Sequence, residues 1–429
     1  MLDNAKLAVQ LVRNTVRRQL AKRELAGRLE HAVPGRPSGG DDTRFRCAVY
    51  FSDDPVNLYQ IRQWYAPLQE LARTQPVVVL SRMPETTNVL LDECPLPVLH
   101  APRITDVESF MEHHDIGLVL YVNQNLRNFQ MMRFARPAHV FVSHGESDKS
   151  YMASNQLKAY DRVFIAGPAA AARLEGALVE FDVARRAVEI GRPQADATYP
   201  APALPDDGRT TVLYAPTWEG DRPSMAYGSI ASHGAALLTG LLADPRFRVV
   251  YRPHPRSGAF DPAYGLASTH LARLVAEANH ADPTAQHLVD VDTSFGWHLA
   301  RLDTCVTDVS AVALDWLATG KPLVLTQPAD PRAEVEPTRL TTSVPMVTAA
   351  QARDIVGVLD DTMSAPDEAR ADVVRHYFGD TTPGAATARF VRASTDLIES
   401  RVGAPAQADA PADAPPSAPA ADAAPGTHP

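Results

Sequence analysis

The sequence predicts an α/β protein built on two parallel sheets, and three features of the chain predict it. Between residues 46 and 167 the short apolar runs RCAVYF, PVVVLS, GLVLYV, HVFVSH and RVFIAG alternate with stretches of helical period, the pattern of strands covered by helices. A second set, TVLYAPT, RVVYRPH, LDTCVTD and PLVLTQ, opens after the proline-rich segment Ala197–Gly208. Several of these runs pass straight into polar residues at their carboxyl ends, where open α/β sheets place ligands.

The rest of the chain divides around those two sets. A chain of 429 residues suits two domains of common size plus appendages. We read residues 1–32 as a basic helix, 43–196 and 208–345 as the two α/β domains, 350–402 as helices packing back onto them, and 403–429 as a disordered tail. The tail holds 11 alanines and 7 prolines, too little apolar surface to offset the entropy of ordering it. In the first segment Lys6, Arg13, Arg17, Arg18, Lys22, Arg23 and Arg28 oppose Asp3, Glu24 and Glu30. Its apolar residues fall on two sides, so it reads either as a helix packed on its own domains or as an interfacial helix drawn to anionic lipid.

Composition excludes several classes. Apolar residues at 45% and charged residues at 21% are those of a folded globular protein. A net charge of −10 argues against a general nucleic-acid binder, which needs a basic surface. Cys47, Cys94 and Cys305 lack metal-ligand spacing and read as packed, reduced thiols. No run approaches 18 apolar residues and the amino terminus lacks a signal-peptide core, so the expectation is a cytoplasmic protein. P-loop, zincin and hydrolase-elbow strings do not occur in the sequence.

The chemistry gathers at four strand ends. His144, followed by Gly145, is the candidate general base, since histidine titrates near neutrality and glycine lets a substrate approach closely. His254 sits between Pro253 and Pro255 and beside Arg252 and Arg256, a restricted and cationic turn suited to phosphate oxygens. Thr307, Asp308 and Ser310 precede a predicted helix over residues 311–319 with Gly320 at its end, and its first N–H groups with the two hydroxyls form an expected anion site. Asp308 would repel phosphate, so it is read as a helix cap or a partner of a sugar or glycerol hydroxyl. Thr217 and Trp218 follow another strand, the indole placed to stack on a base, wall the cleft or pack. Neither the pair His113–His114 nor the Asp290–Val291–Asp292 string is read as a metal site. Adjacent helical residues point about 100° apart, and so short an acidic string is common by chance.

The strings SHGESDKSYMASNQLKAYDRVFIAG, IGRPQAD, TVLYAPTWEG, YRPHP and TDVSAVALDWLATGKPLVL occur in order across residues 141–326. This set resembles the CDP-glycerol glycerophosphotransferase family, which includes teichoic-acid primases and polymerases. The resemblance implies two Rossmann-like domains facing a cleft, the GT-B architecture of nucleotide-dependent transferases, with acceptor side first and nucleotide donor side second. It implies transfer of glycerol phosphate or a related polyol phosphate from a CDP-activated donor to a hydroxyl of a lipid-linked or cell-surface glycan, with no metal or other cofactor. By matching position it adds Glu146, Lys149, Arg192 and Asp315 as substrate contacts. The chain departs from the family pattern at Glu146–Ser147–Asp148, at Gln194 where an arginine is usual, and at Ala311 where a hydroxyl is usual. Two other readings of the cleft are a GT-B glycosyltransferase using a nucleotide sugar and a non-catalytic scaffold of a surface-polymer complex.

The basic first segment generates a prediction. Near an anionic membrane each cation contributes about 1 kcal/mol, so removing residues 1–31 should abolish salt-sensitive binding to phosphatidylserine vesicles in a sedimentation assay. Equal pelleting of truncated and full chains would leave only the packed-helix reading.

Overall fold

The computed structural model describes residues 25, 27–29, 44–146, 153–291, 293 and 295–402. Most of the basic first segment, Lys149, Asp292 and the tail from 403 lie outside the described residues. The first sheet contains β1 (Cys47–Phe51), β2 (Val77–Ser81), β3 (Val98–His100), β4 (Leu118–Tyr121), β5 (Ala138–Phe141), β6 (Arg162–Ile165) and β7 (Ala187–Glu189). They run in the order β3-β2-β1-β4-β5-β6-β7 with every neighbouring pair parallel. Cys47 of β1 lies opposite both Val77 and Leu118, and all five residues of β1 are buried. A strand covered by helices on both faces needs apolar residues at every position, which is why its sequence is a continuous run rather than an alternation.

The second sheet repeats the plan with β8 (Thr210–Ala215), β9 (Phe247–Tyr251), β10 (Leu288–Val289), β11 (Thr304–Thr307), β12 (Leu323–Thr326) and β13 (Met346–Val347). Its order is β10-β9-β8-β11-β12-β13, again parallel throughout. In both sheets the strand order reverses beside the first strand, between β1 and β4 and between β8 and β11. Such switch points open a crevice at the strands' carboxyl ends.

Strands β3, β7, β10 and β13 were not expected from the sequence. They are two or three residues long and sit at or next to sheet edges, too short for periodicity to register. The helix expected over residues 311–319 ends at Leu317, and Gly320 follows in a turn with φ of 70°.

The carboxyl-terminal helices tie the two sheets together. Helix Ile355–Ser364 buries Ile355 and Leu359 in the core of the second sheet. Helix Asp367–Phe378 packs Tyr377 and Phe378 in one cluster with Ala166, just beyond β6. Helix Ala385–Arg401 returns to the first sheet, where Phe390 is fully buried with its ring centroid 5.2 Å from that of Trp64 and 6.3 Å from that of Phe164. The carboxylate of Asp196 accepts the N–H groups of Gly384 and Thr387 at 2.9 and 2.8 Å, capping this returning helix from the linker side. At the other end of the chain Leu29 is buried, and Arg28 donates to Asn88 and Asp92 of helix Pro84–Glu93. At residues 28 and 29, therefore, the packed reading of the first segment holds.

Phe390→Ala removes the plug between the returning helix and the first sheet. It should lower the unfolding free energy by about 3–5 kcal/mol, the range for deleting a buried aromatic side chain, as measured by urea unfolding.

Candidate functional site

The two crevices meet where the loop after β5 touches the start of helix Ala311–Leu317. A Cβ placed on Gly145 would lie 3.6 Å from the Cβ of Ala311 and 4.0 Å from a guanidinium nitrogen of Arg192, so the backbone of the first half rests against the second. Directly across this contact, Arg192 donates through Nε to Oδ1 of Asp315 at 2.7 Å, and its Nη2 lies 2.5 Å from the same oxygen. Both side chains are buried, and Arg192 also reaches Gln63 at 3.3 Å. Arg192 and Asp315 were expected to touch substrate; the structure commits each to the other. Burial pushes the carboxyl of Asp315 upward, against the opposing pull of Arg192.

His144 is aimed by a strained turn. Ser143 has φ of 56°, a left-handed conformation that costs a residue with a side chain about 1 kcal/mol or more. Trp64 donates its indole N–H to the Ser143 carbonyl, and the Ser143 hydroxyl donates to the Gly145 carbonyl at 2.8 Å, so the turn is held from two directions. The backbone of Val122 faces the imidazole and favours its protonated form, and Tyr59 meets it edge-on at 5.7 Å between centroids. Its Nδ1 is buried and makes no hydrogen bond. Burial first, and the nearby Arg192 charge second, lower the pKa of His144 to about 4, so the ring is neutral at physiological pH with an unengaged nitrogen. Glu146 is buried and ion-paired with Arg173 of helix Pro168–Ala177. Beneath the turn lies a small cavity lined by Trp64, Ser143, Glu146 and Gln194, and both amide atoms of Gln194 are buried without partners.

On the second sheet, β9, β8 and β11 bring His254, Thr217–Trp218 and Ser310 to neighbouring strand ends. Nδ1 of His254 accepts the backbone N–H of Arg256 at 3.1 Å, which leaves the proton of the neutral ring on Nε2. The ring stacks near Trp218 at 6.4 Å, and the Arg256 guanidinium lies 4.0 Å above the indole centroid. Glu219 fixes the segment by accepting three backbone N–H groups, from Gly258, Phe260 and Asp261, at 2.8–3.2 Å. Nothing in the sequence marked Glu219 for this part, because its partners lie about forty residues away.

Ser310 occupies the position before helix Ala311–Leu317 with extended backbone, yet its side chain makes no cap bond and its Oγ is buried without a partner. Asp308 does not cap the helix either. Its carboxylate accepts the N–H groups of Thr217 and Ser229, at 2.6 and 3.2 Å, and the hydroxyl of Thr326, joining three loops inside the sheet end. Burial raises its pKa to about 6 against those hydrogen bonds. Thr307 is fully buried in β11 and spends its hydroxyl on the Ala215 carbonyl at 2.6 Å, so the expected two-hydroxyl site reduces to Ser310. Arg252 also departs from its expected part. It pairs with Asp290 and donates to the Thr293 carbonyl at 2.9 Å, while His298 bonds Asp290 at 2.7 Å. Asp290 is thus a hub of side-chain pairing. His114 is packed against Phe45 and Phe110.

Two predictions follow from the turn and its neighbour. Arg192→Met should cost about 3–5 kcal/mol of stability by stranding the buried Asp315 charge, whereas Arg192→Met with Asp315→Leu should recover most of it, as read from a double-mutant unfolding cycle. The ring proton of His144, followed by NMR, should titrate well below 6.5. Because its folded pKa is depressed, the stability linked to it is present above the unfolded value and lost as pH falls from about 6.5 toward 4.

Comparison with solved structures agrees with the two-sheet architecture. A wall teichoic acid polymerase TagF matches over 92% of this chain and 99% of its own, with a TM-score of 0.53 at 14% identity. A variant of that polymerase gives 0.56 at 12% identity over 84% of this chain and 91% of its own. A UDP-N-acetylglucosamine 2-epimerase, described as putative, from Listeria monocytogenes matches over 83% and 98% with 0.52 at 13% identity. No protein-family model matches the chain, and no curated protein does. Among the described residues, no helix is long and apolar enough to cross a membrane. At these identities the likeness establishes a shared fold, two parallel α/β units of GT-B type.

Proposed function

We propose that the chain is a transferase that moves glycerol phosphate, or a related polyol phosphate, from a CDP-activated donor to a hydroxyl of a lipid-linked or cell-surface glycan, releasing CMP. The observation that carries this reading is the pair of orphaned polar atoms flanking the Gly145–Ala311 contact, Nδ1 of His144 from one half and Oγ of Ser310 from the other. A buried polar atom without a partner costs free energy that a bound ligand recovers. Here one is a neutral base, suited to take a proton from an acceptor hydroxyl, and the other a hydroxyl, suited to donate to a phosphoryl oxygen. The ordered strings shared with glycerophosphotransferases favour a CDP-polyol over a sugar nucleotide as donor.

On this reading the acceptor hydroxyl attacks the phosphorus bearing the polyol as His144 takes its proton. The new P–O bond forms while the bridging bond to CMP breaks, and the electron pair leaves on the CMP phosphate. His254, whose Nδ1 accepts the Arg256 N–H, stands on the side of the leaving phosphate, and Ser310 donates to a non-bridging oxygen. Trp218 and Arg256 form a cationic aromatic wall beside it. An anionic donor entering the cleft works against both burial and Arg192, and lifts His144 toward the range of an effective base. A lipid-linked acceptor would hold the protein peripherally at the inner face of the cell membrane.

The test is incubation of the purified full chain with CDP-glycerol, CDP-ribitol and UDP-sugars plus glycan acceptors, with products identified by mass. A polyol-phosphate adduct is expected; a glycosyl product instead would move the chain to the sugar-transferase reading. His144→Ala should abolish turnover while leaving CDP-donor affinity within a few-fold. Ser310→Ala should cut kcat/KM by about tenfold, equivalent to about 1.4 kcal/mol.

A further inference from the structure

Beside His144, on the first sheet, lies a second group of polar side chains that the mechanism does not use. It stands at the switch point between β1 and β4. Asn123 donates its amide N–H groups to Oδ2 of Asp53 at 3.0 Å and to Oε1 of Gln60 at 2.8 Å. Asp53 accepts through Oδ1 from Asn57 and from the N–H of Asp54, both at 2.9 Å. The backbone carbonyl of Asn123 is held by Asn128 at 2.8 Å. This network reaches the candidate base through Gln60, which donates to the hydroxyl of Tyr59, whose ring meets the imidazole.

Two buried atoms have no partner, one within the group and one on the residue that precedes Asp53. Asn123 is 5% exposed and its Oδ1 makes no hydrogen bond; Ser52, 2% exposed and adjacent to Asp53, has an unpartnered Oγ. The donor and acceptor balance says what would satisfy them. Both N–H groups of Asn123 are spent, so the amide offers an acceptor, the Asp53 carboxylate offers only acceptors, and Ser52 offers either. A phosphate or carboxylate brings no proton to such a set and is repelled by Asp53. A neutral polyhydroxyl group brings several O–H donors at once, and the half-exposed Tyr59 ring supplies the apolar face against which a sugar or polyol carbon chain packs.

We propose that Ser52, Asp53 and Asn123 form a hydroxyl-binding subsite that recognises a diol of the acceptor and presents a neighbouring hydroxyl to His144. The proposal deepens the transferase reading and rests on it for the word acceptor, but binding of a diol does not depend on transfer.

The experiment uses the full chain and has two arms. In the first, saturation-transfer NMR follows glycerol, ribitol and methyl β-glucoside, with 1-propanol as the probe lacking a diol. Binding of at least one diol probe, none of 1-propanol, and loss of the signal in Ser52→Ala and Asp53→Asn are expected. In the second arm, with whichever donor and acceptor give turnover, both variants should raise acceptor KM at least tenfold while donor KM stays within twofold. Ser52→Ala is the decisive variant. It deletes a buried unpaired hydroxyl, so a merely structural Ser52, or one that only holds a water, predicts unchanged or increased stability with unchanged diol binding and acceptor KM, which would overturn the subsite. Diol binding that is lost in the variants, in a protein that transfers nothing from any CDP-polyol, would sustain the subsite and remove the proposed reaction. Transfer with an acceptor KM indifferent to both variants would do the reverse.

Discussion

The buried ion pair of Arg192 and Asp315 is the constraint on which the arrangement of the cleft depends. It is made by residues 123 positions apart, one on the segment leaving the first sheet and one on the first helix after β11. Taking two charges out of water is costly, and their attraction offsets that cost only when the geometry is good. Two guanidinium nitrogens converge on one carboxylate oxygen here, and Gln63 takes a further N–H. The consequence reaches past stability. Burial lowers the proton affinity of His144 most and the same guanidinium beside it lowers it further, so the contact that fixes the two halves also contributes to the charge state of the candidate base.

The site holds two groups whose titrations oppose each other across one pH window. His144, depressed to about 4, stays neutral while the unfolded chain takes up a proton below 6.5, and this destabilises the fold as pH falls. Asp308, raised to about 6, holds a proton in the folded state that the unfolded chain releases above about 3.8. Its contribution is present at low pH and is lost as pH rises through about 6. Between roughly 4 and 6 the two slopes have opposite sign, so proton uptake by the cleft as a whole conceals its parts. Single-residue observation, rather than bulk stability, distinguishes them.

The sequence made legible whatever its local pattern controls. The long apolar runs of β1, β2, β8 and β9 announce buried parallel strands, and a histidine at a strand end marks His144 and His254. It did not reveal which polar residues the fold consumes. Thr307 and Ser310 look equivalent as hydroxyls three residues apart, yet strand pairing points one at the Ala215 carbonyl and leaves the other unpartnered. Asp308 reads as a helix cap because the nearest N–H groups in sequence are those of the helix, whereas in space the backbones of Thr217 and Ser229 are closer to hand. Ser52, Asp53 and Asn123 gave no signal at all. They come together only because β1 and β4, seventy residues apart, are neighbours in the sheet.

That consumption explains how a protein of net charge −10 can present a wall suited to an anionic donor. Four carboxylates stand around the strand ends of the second sheet, and each is spent within the chain. Asp308 and Glu219 accept backbone N–H groups, Asp290 faces Arg252 and His298, and Asp315 faces Arg192. With their charge met by fixed donors, they stiffen the loops without projecting a repulsive field into the cleft, beside which the Arg256 guanidinium lies over the Trp218 indole. On the first sheet the balance is reversed. Asp53 is only partly covered and keeps acceptor capacity, which is what the proposed hydroxyl subsite rests on. On the proposed reading, opposite polarity on the two walls would sort an anionic donor from a neutral polyhydroxyl partner before any chemistry begins, a division of labour made by hydrogen-bond saturation rather than by net charge.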